Sequence, residues 1–294
     1  MSCNNDSIKK IWGEGLPIAL MDFTQHSKWP ARLLGLEQWA PPKRNKVQAL
    51  REYEKETYQP QLNLLKNDPA LCCYDALFRV VYPSITQMCC LMGKELRMMT
   101  PDKAFQVQLL CMESVVKSVV DGCPLVDFGA GNGRNLMGLA TRLESSSLFG
   151  LDMMPSALRV MKLMAARLGI NLKVGKCDFH SKKLTEVAIP EQSVLMTSYA
   201  TCFVSFDYHV FMEAIKNLKF KLIANFEPIY DFMDNTLMGQ MQKSYMIKNA
   251  YNVDFFSKLF ADPLVEIQSV EKNIFGTNPL LPMSSVVWKF RGHQ

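Results

Sequence analysis

The sequence has no run of about 18 consecutive apolar residues, the length that a membrane-spanning helix requires. Its N-terminus, MSCNNDSIKKIW, lacks the apolar core of a secretory signal peptide. Nine cysteines are present, but no C-x-x-C spacing with matching histidines accompanies them, so the common zinc-binding patterns are excluded. We therefore expect a reduced, cytoplasmic protein with buried thiols and no catalytic metal.

A strong excess of charge of one sign is also missing. Lysine and arginine total 33 against 28 acidic residues, and the basic clusters are short, at Pro42–Lys46 and Ser181–Lys183. No arginine-rich stretch is interleaved with aromatic residues, which argues against a nucleic acid as partner. The same composition leaves the oligomeric state open, a homodimer included.

Two regions with different patterns follow one another along the chain. Residues 1–40 look irregular and carry Trp12, Trp29 and Trp39, which we expect to pin an N-terminal arm to the body of the protein. Helical patterns follow over residues 46–66, with a break at Pro60, and over the mostly apolar segment 70–96. Thr100, followed by a proline, predicts a helix that runs to about residue 120. We therefore predict a helical N-terminal region over 1–120.

Residues 121–294 predict an α/β domain. Short apolar strands alternate with helical patterns, which indicates a mostly parallel sheet with helices on both faces. The predicted strands are 124–128, 147–151, 170–174, 193–198 and 220–226, and the predicted helices are 133–143, 155–168 and 208–218. Two further strands, 265–275 and 284–290, are joined by a loop without a helix, so they should pair antiparallel.

The stretch VDFGAGNGRN, residues 126–135, is the most informative in the chain. An acidic residue, Asp127, precedes a loop with glycine at every second position: Gly129, Gly131 and Gly133. Glycines allow a tight turn and the close approach of a ligand, and the following helix should direct free N–H groups towards it. The dinucleotide fingerprint G-x-G-x-x-G is spaced differently, and the Asp127 carboxylate would repel a pyrophosphate, which argues against a nicotinamide oxidoreductase.

This pattern resembles motif I of the class I S-adenosylmethionine-dependent methyltransferases. The resemblance implies a Rossmann-like, seven-stranded sheet whose last strand is antiparallel, with S-adenosylmethionine as cofactor. It implies that the loop holds the methionine half of the cofactor and that Asp127 lies near its amino group. It also implies that Asp152 binds the ribose, that Met153 lies against the adenine, and that Asp178 and Phe179 bind and stack on the base.

Three residues are candidates for the catalytic side of the site. Tyr199 ends the fourth strand of the domain, where the methyl group should lie, and could orient an acceptor. Glu227 ends the fifth strand and is the candidate general base, with a capping or salt-bridged glutamate as the alternative. His209 is a second candidate base, with a surface or helix-capping histidine as the alternative.

The resulting interpretation is an enzyme that transfers a methyl group to a small, partly apolar metabolite at O, N or C. The N-P-P-Y type of signature is absent, which disfavours a DNA base or a glutamine side chain as acceptor. Two alternatives remain at this point: a methyltransferase that acts on protein or RNA, and a non-catalytic subunit that binds S-adenosylmethionine for a partner.

Overall fold

A computed structural model describes residues 2–27, 29–38, 51–143, 145 and 147–292. Its centre is a seven-stranded sheet with strand order β6-β5-β4-β7-β8-β10-β9. The strands are β4 (Leu125–Phe128), β5 (Leu148–Asp152), β6 (Leu172–Lys176), β7 (Val194–Ser198), β8 (Leu222–Glu227), β9 (Val265–Phe275) and β10 (Met283–Phe290). β4 to β8 pair in parallel, whereas β10 runs antiparallel to both of its neighbours. The predicted fold class is confirmed.

Within the described chain, helices occupy both the N-terminal region and the connections of the sheet. They are α1 (Ser2–Gly13), α2 (Phe23–His26), α3 (Trp29–Leu33), α4 (Gln59–Asn67), α5 (Tyr74–Val81), α6 (Pro101–Val120), α7 (Arg134–Ala140), α8 (Pro155–Leu168), α9 (Tyr208–Lys216), α10 (Leu237–Lys248) and α11 (Phe255–Ala261). A π-helical segment, Arg51–Tyr58, leads directly into α4, so the chain stays helical through Pro60 and the break predicted there is wrong.

The N-terminal region departs from the prediction in two places. The arm is not irregular at its start, because α1 places Ile8, Ile11 and Trp12 on one stripe against the core. The second part of segment 70–96 is not helical either. It forms the hairpin of β2 (Met88–Met92) and β3 (Glu95–Met99), which β1 (Leu16–Ile18) extends to three antiparallel strands.

Tryptophans hold the arm, as expected. The Trp12 indole is buried, packs edge-on against Phe275 at 6.1 Å between ring centroids, and donates to Glu95. Trp29 makes a similar edge contact with Tyr245 at 5.1 Å. Trp39 lies outside the described residues. Residues of α1 and α6 belong to the same hydrophobic cluster as the central strands. The division into two regions at residue 120 therefore stays a prediction from the sequence.

No helix in the described ranges is both long and apolar enough to cross a membrane.

Candidate active site

A cavity of about 280 Å³ opens at the carboxyl ends of the central strands. This is where ligands bind in open α/β sheets. Seven of the predicted site residues line it: Gly129, Gly131, Asp152, Met153, Asp178, Phe179 and Tyr199. The other four, Asp127, Gly133, Glu227 and His209, do not lie on its surface.

The glycine loop between β4 and α7 has the positive φ angles that its sequence predicts, at 76° for Gly129 and 57° for Gly131. Neighbouring side chains also exclude larger residues there. A Cβ at Gly129 would lie 2.5 Å from the Ala200 Cβ, and one at Gly131 would lie 2.6 Å from the Tyr58 hydroxyl oxygen. Glycine is therefore required by the packing of the protein as well as by any ligand.

The backbone N–H groups of this loop are largely engaged within the protein. Gly129 and Ala130 both donate to the Leu151 carbonyl, at 2.8 and 3.0 Å. Gly131 donates to the Asp152 carboxylate at 2.8 Å, and the N–H groups of Gly133 and Arg134 also donate within the loop. The expectation that this helix start directs free N–H groups at a ligand is wrong for these five groups.

Asp127 lies in β4 beneath the loop and is 2% exposed. Its Oδ1 atom is buried and has no hydrogen-bond partner among the described residues. Burial raises the pKa of Asp127 well above its ordinary value, and the carboxylates of Asp152 and Glu227 raise it further. An unpartnered buried carboxylate oxygen is costly unless a cation or a proton joins it.

Asp152, the last residue of β5, organises the cofactor end of the cavity. One of its carboxylate oxygens accepts the Gly131 N–H, and the other accepts the Met154 N–H at 2.8 Å. The carboxylate thereby joins the glycine loop to the start of α8. Each oxygen has further lone pairs, and the side chain lines the cavity, so it can still accept hydrogen bonds from a ligand.

The chain after β6 supplies the next wall. The Asp178 carboxylate accepts the His180 N–H at 3.0 Å, which closes a tight turn. The Phe179 ring is buried and contacts Phe206 and Phe211 edge-on, at 5.7 and 5.2 Å between centroids. This pair of residues therefore presents an acid and a fixed aromatic ring to the cavity.

Tyr199 follows β7 and holds an unusual backbone conformation, with φ at 49°. Its N–H donates to the Phe226 carbonyl, and its hydroxyl donates to the Leu281 carbonyl, each at 3.0 Å. Because the hydroxyl proton is committed to Leu281, Tyr199 lines the cavity without a hydroxyl proton free to donate into it.

Glu227 ends β8, and it is completely buried. Its carboxylate accepts the backbone N–H groups of Ala200, Thr201 and Cys202 at 3.0–3.3 Å, and the Thr197 hydroxyl at 2.8 Å. Burial raises the pKa of Glu227, although these donors pull it back in part. The structure does not bring this carboxylate to the cavity, so the expected role as general base gains no support from it.

A chain of buried polar side chains stands behind Glu227. Trp288 of β10 donates to the Asn225 amide oxygen at 2.7 Å, and Asn225 donates to the Thr197 hydroxyl at 2.8 Å. Thr197 in turn donates to Glu227. This network crosses three neighbouring strands and ends on the backbone of residues 200–202, the loop that lines the cavity.

His209 lies at the start of α9, and its side chain is exposed. The ring contacts Tyr208 edge-on at 5.4 Å between centroids, away from the residues that line the cavity. This position supports the alternative interpretation of His209, that of a surface histidine.

The N-terminal region contributes residues that the sequence did not reveal. Tyr53 and Tyr58, from the π-helical segment, line the cavity opposite the strand ends. Their only sequence signal was a pair of tyrosines within EYEKETY, where no strand end or glycine marks a site. Residues from both parts of the chain therefore line the cavity.

A sequence model of a methyltransferase-domain family matches residues 119–253, which include the glycine loop, Asp152, Asp178 and Glu227. This part of the chain therefore contains a methyltransferase domain. The residues that line the cavity fit S-adenosylmethionine, the cofactor that the motif resemblance implies. The unpartnered Asp127 oxygen beneath the loop suits an ammonium group, Asp152 suits ribose hydroxyls, and Phe179 suits a purine.

Solved methyltransferases resemble this one at low identity. One is from Aquifex aeolicus (15% identity, TM-score 0.44, covering 60% of this chain and 87% of that one). Another is geranyl diphosphate C-methyltransferase from Streptomyces coelicolor (10%, 0.45, 64% and 84%). A third, from Galdieria sulphuraria, is assigned as a sarcosine dimethylglycine methyltransferase (12%, 0.46, 63% and 85%). No curated protein matches the sequence.

Proposed function

We propose that this enzyme transfers a methyl group to a small, partly apolar metabolite at an oxygen, nitrogen or carbon atom. The observation that carries the proposal is the composition of the cavity on the β7 side. Four uncharged residues form this wall: Tyr53, Tyr199, Phe203 and Val204. The carboxylates that line the cavity lie on the other side of the sheet centre, where Asp152 ends β5 and Asp178 follows β6.

The aromatic wall is a connected surface. The Phe203 ring lies 6.2 Å from Tyr53 and 6.4 Å from Tyr199 between centroids, and Tyr251 supports it from behind at 5.0 Å. Such a surface binds a flat or apolar acceptor and excludes water from it. It supports a small molecule better than a polymer, because residues from both parts of the chain form an uncharged aromatic wall inside a cavity of this size.

S-adenosylmethionine supplies an electrophilic methyl group on a positively charged sulfur. The protein then mainly has to hold the acceptor in line with that group, and alignment alone is worth about 7–11 kcal/mol. Here Glu227 and the Phe226 carbonyl fix the loop that carries Tyr199 and Phe203. We do not assign a general base, so we favour acceptors that lose their proton readily or react at carbon.

Incubation with radiolabelled S-adenosylmethionine and a cell extract tests this proposal. We expect the label in the ultrafiltrate of small molecules, and label on protein or RNA would contradict a metabolite acceptor. Phe203→Leu should lower label transfer about tenfold, because the acceptor loses a flat contact, while cofactor affinity measured by calorimetry stays the same. Unchanged label transfer in this variant would show that the aromatic wall is not part of the acceptor site.

A further inference from the structure

The π-helical segment Arg51–Tyr58 is fixed firmly over the cofactor end of the cavity. The Glu54 carboxylate accepts the Ser156 N–H at 3.0 Å and the Ser156 hydroxyl at 2.6 Å, at the start of α8. A carboxylate is favourable at the N-terminus of a helix. This contact sets the position of the tyrosine four residues further on.

The Tyr58 hydroxyl reaches the glycine loop. Its oxygen lies where a side chain at Gly131 would have to be, and the residue lines the cavity. No hydrogen bond joins this hydroxyl to another residue in the described part of the chain, although the phenol is largely enclosed. Burial and the nearby Asp152 carboxylate raise the pKa of Tyr58 well above its ordinary value, so the hydroxyl keeps its proton and remains a donor.

The α-carboxylate of the cofactor has few other donors at this place. Five N–H groups of the loop donate within the protein, which leaves the Asn132 N–H as the other donor of the loop at the cavity. The Asn132 amide donates to Gln61 at 2.9 Å, and the Tyr74 hydroxyl donates to the Asn132 carbonyl at 2.6 Å. The ionisable neighbours, Asp127 and Asp152, are acidic and repel a carboxylate.

We propose that the Tyr58 hydroxyl binds the α-carboxylate of the methionine half of S-adenosylmethionine, so that a residue outside the methyltransferase-domain match completes the cofactor site. This inference rests on the proposed function, since it requires that the cavity holds this cofactor. It also gives the N-terminal region a direct part in cofactor selection: the region distinguishes nucleosides that carry an amino-acid carboxylate from those that do not.

Calorimetric titration of three ligands tests the assignment. S-adenosylhomocysteine carries the carboxylate, decarboxylated S-adenosylmethionine lacks only that group in its side chain, and 5′-methylthioadenosine lacks the whole amino-acid end. Tyr58→Phe should weaken S-adenosylhomocysteine about tenfold or more, because a hydrogen bond to a charged group is lost. The other two ligands should bind within about twofold of wild type.

Tyr82→Phe is the matched control, since Tyr82 lies near Tyr58 but outside the cavity. It should leave all three affinities unchanged. Equal weakening of all three ligands in Tyr58→Phe would assign the hydroxyl to the ribose or to packing and overturn the proposal, as would an unchanged affinity for S-adenosylhomocysteine. Failure of the wild-type protein to bind any of the nucleosides would instead overturn the proposed function.

Discussion

Asp127→Asn is expected to weaken S-adenosylmethionine binding at least about 30-fold. The cofactor's ammonium would lose the attraction of the buried carboxylate beneath the loop, and removing one member of a desolvated charge pair costs about 2 kcal/mol or more. The side chain changes little in shape, and it lies beneath the loop rather than on the cavity surface. The loss therefore measures charge recognition. Calorimetry at pH 7 gives the affinity directly.

The pH dependence of binding provides a second measurement of the same residue. The raised pKa of Asp127 means that the free protein holds a proton on this carboxyl over a pH range in which an ordinary aspartate has lost it. Binding a cation favours the ionised form, so binding should release a proton, and affinity should fall as the pH falls through the raised pKa. Calorimetric titrations in buffers with different ionisation enthalpies give the number of protons released on binding. A proton count equal in wild type and Asp127→Asn would contradict the assignment.

Folding stability should show the opposite trend with pH. A carboxyl with a raised pKa in the folded state binds more protons there than in the unfolded chain. Its stabilising contribution is complete below the unfolded pKa and is lost as the pH rises through the folded one. The free energy of unfolding of the cofactor-free protein should therefore fall over this range. Denaturant titrations of Asp127→Asn should show a smaller fall, with the raised pKa values of Asp152 and Glu227 supplying what remains.

Glu227→Gln is expected to destabilise the protein by about 3 kcal/mol and to lower turnover at the same time. A glutamine keeps one acceptor oxygen but turns an N–H₂ group towards the donors at residues 200–202, so buried N–H groups lose their partner. The loop that carries Tyr199 would then lose its fixed position. Denaturant unfolding and steady-state kinetics on the same preparation give both quantities.

The combination of effects distinguishes an anchor from a base. A general base predicts a large loss of kcat with normal stability and normal cofactor affinity. An anchor predicts that stability and turnover fall together. Trp288→Phe is the matched control: it removes the donor to Asn225 at the far end of the network, so it should cost about 1–2 kcal/mol in the same direction. If Glu227→Gln kept the stability of the wild type but lost kcat, the result would support Glu227 as a general base and contradict its role as an anchor.

Periodicity predicted the central sheet well because each signal there is local. The helix Pro155–Leu168 and the strand Val265–Phe275 have the predicted bounds. A proline at the first helical position and Gly169, with φ at 67°, mark the two ends of that helix. The glycine loop was equally clear, since its positive φ angles exclude other residues.

The hairpin β2–β3 was missed because its first strand, β2, is apolar on both faces. The apolar pattern of Met88–Met92 is compatible with a buried helix as well as with a buried strand. Only Gly93, with φ at 59°, marks the turn. Glu227 shows a different limit. Its position at a strand end was predicted correctly, but its partners are backbone N–H groups 25 to 27 residues earlier in the chain. No sequence pattern states which way a buried carboxylate turns.

Three contacts reach the glycine loop from the N-terminal region. Gln61 accepts from Asn132, Tyr74 donates to the same residue, and Asp75 pairs with Arg134, and the partners are 58 to 71 residues apart in the chain. Loop-closure entropy must be overcome before such distant partners meet. Cofactor binding should thus mature late during folding, after the N-terminal region has docked on the glycine loop.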